Sequence, residues 1–244
     1  MSDRTILRRT PVWVCAAAAV FFALPGCGSD KGAAQPDGTK PPAVDTSAVP
    51  APGTYTYRTT GSERVRAVIS ARLRYPRRST ITYSRGGCGA TERWSAGSRR
   101  STTSEYCLAP GGRRLHALVD VHEFFGQPFR LRYSCRGPVV PPVRRLHAGM
   151  SWTDRCSALG ATVVARERVV GVVRVRSRGR RVPAVRLQAR LRFGGVIRGA
   201  STIDSWLSRR DGLVLRRAVR SASRVDSPIG TVGAREGYEI TLSG

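Results

Sequence analysis

The sequence predicts a mostly β protein, an antiparallel curved sheet or incomplete β-barrel with at most a short helix. Three observations carry that expectation. First, apolar and polar residues alternate with period two: from Val185 to Phe193 every odd position is apolar and every even one polar, the pattern of a strand with one wet face. Second, glycine pairs and an Asp-Gly step punctuate these runs at Gly86-Gly87, Gly111-Gly112, Gly194-Gly195 and Asp211-Gly212, as turns between antiparallel strands require. Third, no stretch sustains an amphipathic helix of three turns; Glu63 to Leu73 is the best helical candidate.

The first element is a leader over residues 1–26. Arg4, Arg8 and Arg9 precede the apolar run Val12 to Leu24, thirteen residues long. That is the length of a signal-peptide core and too short to span a bilayer. Leu24-Pro25-Gly26-Cys27 follows. These four residues resemble the lipobox of the bacterial lipoprotein class: Leu24, Gly26 and Cys27 match it, and Pro25 departs from the usual small residue. The resemblance implies that Cys27 is the lipid-attachment residue and the mature N-terminus. It also implies that the protein is exported and lipid-anchored on the outer face of the cytoplasmic membrane, in the cell envelope. Two or more acyl chains anchor a protein stably where one is marginal.

Residues 27–53 form the next element, a tether. They are mainly Gly, Ala, Pro, Ser and Asp, with almost no large apolar groups, so they cannot bury enough surface to offset the entropy of ordering.

Of the six cysteines, Cys15 lies in the leader and Cys27 is assigned to lipid. Cys88, Cys107, Cys135 and Cys156 remain, an even set in an exported chain, which reads as two disulfides with three possible connectivities. Cys88–Cys107 with Cys135–Cys156 is favoured, because each bond then closes a short local loop. No CxxC pair or zinc-ligand spacing is present, so no metal or cofactor is expected.

The β domain occupies 54–244. Phe129, Leu131, Tyr133 and Cys135 alternate with Arg130, Arg132 and Ser134; Val173-Arg174-Val175-Arg176 does the same. Leu115, Ala117, Val119 and Val121 read as one apolar face, opposite His116, Leu118, Asp120 and His122. Pro138, Pro141 and Pro142 mark a break between halves 54–136 and 150–244. The halves echo one another: Gly53-Thr54-Tyr55 against Gly149-Met150-Ser151, Tyr75-Pro76 against Val182-Pro183, Trp94 against Trp206. Two duplicated meanders are one account of these echoes, and chance is the other. The stretch Val182 to Arg217 resembles the meanders of half-barrel envelope lipoproteins of the lipid-carrying LolA and LppX types. That resemblance implies a concave apolar face that holds acyl chains.

Catalytic chemistry finds little footing. No serine sits in a Gly-x-Ser-x-Gly elbow, no phosphate loop occurs, and the three histidines lack a partner cue. His116, Asp120 and His122 could suggest metal ligands, but on a strand they spread over about 20 Å, so they read as the polar outer face of an amphipathic strand. The arginines are the stronger signal. The domain carries 37 of them against twelve acids, a net +25, and a surface of that sign attracts anions. Arg174, Arg176, Arg186, Arg190 and Arg192 are the candidate anion contacts. The export signal and the lack of a helix-turn-helix, zinc finger or aromatic RNA motif argue against nucleic acid. The expected protein is a non-enzymatic module, membrane-bound through its lipid, that binds or carries an amphiphile or anionic envelope component. The alternative is a structural or interaction protein contacting anionic cell-wall polymer through an Arg-rich sheet face, with no small-molecule ligand.

Overall fold

In a computed structural model, residues 48–67, 70–124, 127–227 and 230–243 are described. The leader, Cys27 and most of the tether lie outside them. Thirteen strands follow in order: β1 (Gly53–Arg66), β2 (Ser70–Arg74), β3 (Arg78–Gly86), β4 (Gly89–Ser95), β5 (Arg100–Ala109), β6 (Gly112–Phe124) and β7 (Gln127–Arg136) form the first run. β8 (Ser151–Ala158), β9 (Ala161–Ser177), β10 (Arg180–Gly195), β11 (Ile197–Ser208), β12 (Val214–Ser227) and β13 (Gly230–Leu242) form the second. All pairings are antiparallel, and from β3 to β13 each strand pairs with its neighbour in sequence.

The sheet closes. β1 pairs with β13 along one edge, from Tyr57↔Leu242 to Arg66↔Gly233. Its other edge carries β3 over Gly53–Arg58 and β2 over Ser62–Arg66. β2 and β3 therefore act as one arm broken at Pro76, which has no N–H to give to a ladder, and the result is a twelve-strand barrel. Closure removes the free edges that an open sheet would present. The helical candidate Glu63 to Leu73 is instead the end of β1 and most of β2. In the sequence Val65, Val68, Ile69 and Leu73 fall at helix spacing while Val65, Ala71 and Leu73 share strand parity, and the pairing with β13 decides between them.

The two runs supply six barrel positions each; the Gly53-Thr54-Tyr55 and Gly149-Met150-Ser151 echo falls at the entry to the first strand of each run, whereas the tryptophan echo falls on strands of different rank. Trp94 is on the third strand position of the first run and Trp206 on the fourth of the second. Trp94 lines the interior, whereas Trp206 lies under the guanidinium groups of Arg186 and Arg216.

One end of the barrel is stoppered. The connection between β7 and β8 turns inward: Val140 pairs with Arg113 on β6, and Val143, which opens a short 3-10 turn, and Leu146, which caps it, are buried in the main core. The seat depends on Gly112, where a Cβ would stand 2.1 Å from the Val140 carbonyl oxygen. Ala48 and Val49, from the end of the segment read as tether, are also buried. The main core gathers around this stopper, with Tyr57, Ile81, Val185, Val214 and Ile240 fully buried. A second cluster, Tyr133, Cys135, Cys156, Ala161 and Val163, packs with Leu118, Leu191 and Phe193.

Candidate functional site

Period-two strands around a closed barrel send alternate side chains inward. On β10 Leu187, Ala189, Leu191 and Phe193 line the interior, the parity read from the sequence. The inward side chains leave a cavity of about 320 Å³, at the small end of the range for small-molecule sites. Phe129 lines it and is 42% exposed, so the cavity meets solvent at the end opposite the stopper.

On β6 the sequence parity fails. His116 is the extra residue of a β-bulge, since Tyr106 pairs with Leu115 and Glu105 with Ala117. A bulge re-aims every side chain beyond it. Leu115 points inward before it, and Leu118, Asp120 and His122 do after it. The expectation that His116, Asp120 and His122 form a polar outer face is thus corrected: Asp120 and His122 belong to the interior. His116 groups instead with Cys88 and Cys107, whose sulfurs are joined to each other and offer no thiolate for a metal.

The cavity lining is charged beyond what composition suggested. Six of the domain's twelve acids line it: Glu63, Glu92, Asp120, Asp154, Glu167 and Glu236. Only three of the 37 arginines do, Arg100, Arg113 and Arg217. They sort into three groups.

In the first, Arg100 donates to Asp120, to Glu236 (3.1 Å) and to Thr102 (3.0 Å). His122 Nε2 meets Asp120 at 3.1 Å and its Nδ1 lies 3.4 Å from Glu63. Burial opposes charge on His122, but hydrogen bonding to Asp120 and Glu63 prevails and raises it to about 9. Asp120 is held well below the usual carboxylate range by Arg100 and His122, against its burial. Tyr75 donates to Glu236, and Trp94 stacks on Tyr238 with centroids 4.4 Å apart.

In the second group Arg217 donates to Glu92 at 2.7 Å and to Ser205 at 3.3 Å. This pair neutralises itself, and Arg217 holds Glu92 low despite its burial.

The third group is unbalanced. Asp154 on β8 and Glu167 on β9 are diagonal neighbours on the inward face, since Trp152 pairs with Glu167 and Asp154 with Ala165. Burial pushes Asp154 up to about 6. Burial and the Asp154 charge together push Glu167 up to about 7. Arg113 lies over the Tyr106 ring at 4.3 Å, and among the described residues no ion pair closes on either carboxyl.

The candidate anion contacts lie elsewhere. Arg190 and Arg192 are exposed on the outer wall. Arg186 faces out beside them but is engaged, donating to Asp204 at 2.9 Å and lying 5.4 Å from the Trp206 ring. Arg174 and Arg176 are exposed too, yet their partners Pro183 and Arg181 put them on the other face of the β9–β10 ribbon. The five therefore do not form one stripe. Both disulfides follow the favoured pairing, Cys88–Cys107 and Cys135–Cys156.

Fold and site together define a closed antiparallel β-barrel, stoppered at one end, with an acid-rich interior and an arginine-rich exterior. No family model and no curated protein matches the chain. Among solved structures, the chain is similar to the hypothetical lipoprotein YmcC from Escherichia coli, with 13% sequence identity and a TM-score of 0.33. The match covers 80% of this chain and 89% of that one.

Proposed function

We propose that the protein is an exported, lipid-anchored envelope lipoprotein whose barrel takes up an amphiphile in its interior without performing chemistry on it. The observation that carries the reading is the cavity. It is stoppered at one end by Val140, Val143 and Leu146, and Phe129 at the other end reaches solvent. Its wall is apolar at Leu115, Leu118, Leu191, Phe193 and Ile197, and charged groups line it as well, among them Asp120 and His122 on β6 and Asp154 and Glu167 on β8 and β9. An apolar wall with a few placed polar groups is the form of a small-ligand site. The Leu24-Pro25-Gly26-Cys27 motif and two disulfides suit an oxidising envelope compartment.

The test is native mass spectrometry, with organic extraction, of the chain purified from membranes. A bound amphiphile released from the folded protein is expected. Protein free of ligand, which also fails to take up any alkyl probe, would overturn the reading.

A second reading rests on the outside. The six acids not in the cavity face 34 arginines, and Glu105, Glu123, Asp204, Asp226 and Glu239 are each already paired with one. That surplus favours contact with an anionic cell-wall polymer as a further role of the same domain.

A further inference from the structure

Nature of the charge, more than the volume, distinguishes this interior. The domain is strongly basic, yet its cavity gathers acids two to one over arginines. Within it Glu92 is matched by Arg217, and Arg100 and His122 bind Glu63, Asp120 and Glu236. Among the described residues Asp154 and Glu167 have no ion-pair partner, and Glu167 has only the hydrogen bond of Trp152. Asp154 is 3% exposed, lines the cavity, and its Oδ1 makes no hydrogen bond. The chain at Gly137 presses against it: a Cβ there would lie 1.7 Å from that oxygen. A buried carboxylate without a partner is costly, and one beside a second carboxyl more so.

We propose that Asp154 and Glu167 form the head-group site of the cavity, and that the group they take is a primary ammonium carried on an apolar chain. The inference rests on the reading of the interior as a ligand site and names the class of ligand. An ammonium brings three donors and one positive charge. It would balance two carboxyls on which no ion pair closes among the described residues, approaching from the cavity side rather than at Asp154 Oδ1, which packs against Gly137. A carboxylate or phosphate head would be repelled, and a hydroxyl would supply one donor and no charge. The chain would run along Leu115, Leu118, Leu191 and Phe193, which line the same cavity.

The charged groups that act on the pair are known. Arg113 from β6 and Arg217 from β12 pull Glu167 down, Arg113 pulls Asp154 down, and burial outweighs them in both. Tyr106 from β5 feels Glu167 in turn. Both carboxyls stand above their ordinary range, so the site is charged at pH 8 and neutral at pH 5. Affinity for a cation is therefore expected to fall as pH drops through about 7 and then about 6.

The experiment uses the full chain carrying Cys27→Ser, with octylamine, octanol and octanoate as probes followed by calorimetry. At pH 8 octylamine is expected to bind roughly tenfold more tightly than octanol, as a charge-assisted contact implies, and octanoate most weakly. The amine preference should vanish at pH 5. It should also vanish in Glu167→Gln and in Asp154→Asn, while octanol binding persists. The pH arm needs no variant and stands even if a substitution prevents folding. Equal binding of amine and alcohol at pH 8, or a preference for octanoate, would overturn the ammonium site and leave the cavity reading intact. No binding of any probe would overturn both.

Discussion

His116 shows how much one residue can redirect. Counted by twos from Leu115, the sequence of β6 puts Ala117, Val119 and Val121 inside. The extra residue reverses that and carries Asp120 and His122 into the barrel. Nothing in the residues themselves announces the bulge, because its cause is the register against Glu105 and Tyr106. The inward acids were illegible for a related reason. Glu63, Glu92, Asp154, Glu167 and Glu236 sit on five different strands, and their meeting is a product of closure. One consequence is a pH-dependent stability. His122, raised to about 9, stabilises the fold fully below its unfolded value of about 6.5. That contribution is lost as pH rises through about 9. Asp154 and Glu167 act in the same direction: their protonated forms suit the fold, and stability is lost as pH rises through about 6 and about 7. Asp120, held low, opposes them only in strong acid, below its unfolded value of about 3.9. The melting temperature is thus expected to be higher at pH 5.5 than at pH 9.5. His122→Gln should flatten the upper part of that slope and Glu167→Gln the lower. Thermal denaturation across pH measures it; a melting temperature that rises steadily from pH 5.5 to 9.5 contradicts it.

At the scale of the strand, the weakest lateral joint is the one between β7 and β8, where only Ser134↔Ser157, Cys135↔Cys156 and Arg136↔Arg155 pair. A disulfide crosses the middle of that joint. Cys88–Cys107, by contrast, ties β5 to the turn that enters β4, where the strands already share seven register pairs. Each bond closes a loop of similar length, 21 and 19 residues apart, so chain entropy alone gives each about 3 kcal/mol. Their removal should nonetheless differ. Cys135→Ser with Cys156→Ser is expected to raise amide hydrogen exchange across β7, β8 and the stopper. Cys88→Ser with Cys107→Ser should raise it only near that turn. Equal, local effects of the two double variants would refute the distinction. The pairing of the cysteines was legible because each loop is short. The strand over Glu63 to Leu73 was not, since its apolar spacing fits either period and only the long-range partner β13 selects one.

Over the whole molecule, strand content and turns were readable, and closure was not. The joining of Tyr57–Arg66 to Gly233–Leu242 links the two ends of the domain, and no local pattern records it. Charge was legible as a total and illegible as a distribution. The excess +25 becomes, after folding, an acid-rich interior inside a still more positive shell. That shell also says what the wall is not. Arg190 and Arg192, exposed on the outside of β10 with Arg166 beside them, would each cost about 2–4 kcal/mol at a bilayer midplane, so the outer wall suits water. The chain is expected to adsorb to anionic cell-wall preparations at low ionic strength and to leave them as salt approaches 1 M, where the Debye length is about 3 Å. Co-sedimentation over a salt series tests this, and retention independent of salt would exclude the arginine shell as its cause.

The stopper of Val140, Val143 and Leu146 gives the barrel a floor. If the barrel holds a ligand as proposed, the described residues leave it one doorway, so arrival and departure would share one route and a resident molecule would leave before a successor enters. Exchange would then be sequential, and hand-over to an acceptor would require the rim near Phe129 to face it. A tube open at both ends could pass molecules straight through; a floored one would be filled and emptied from the same side.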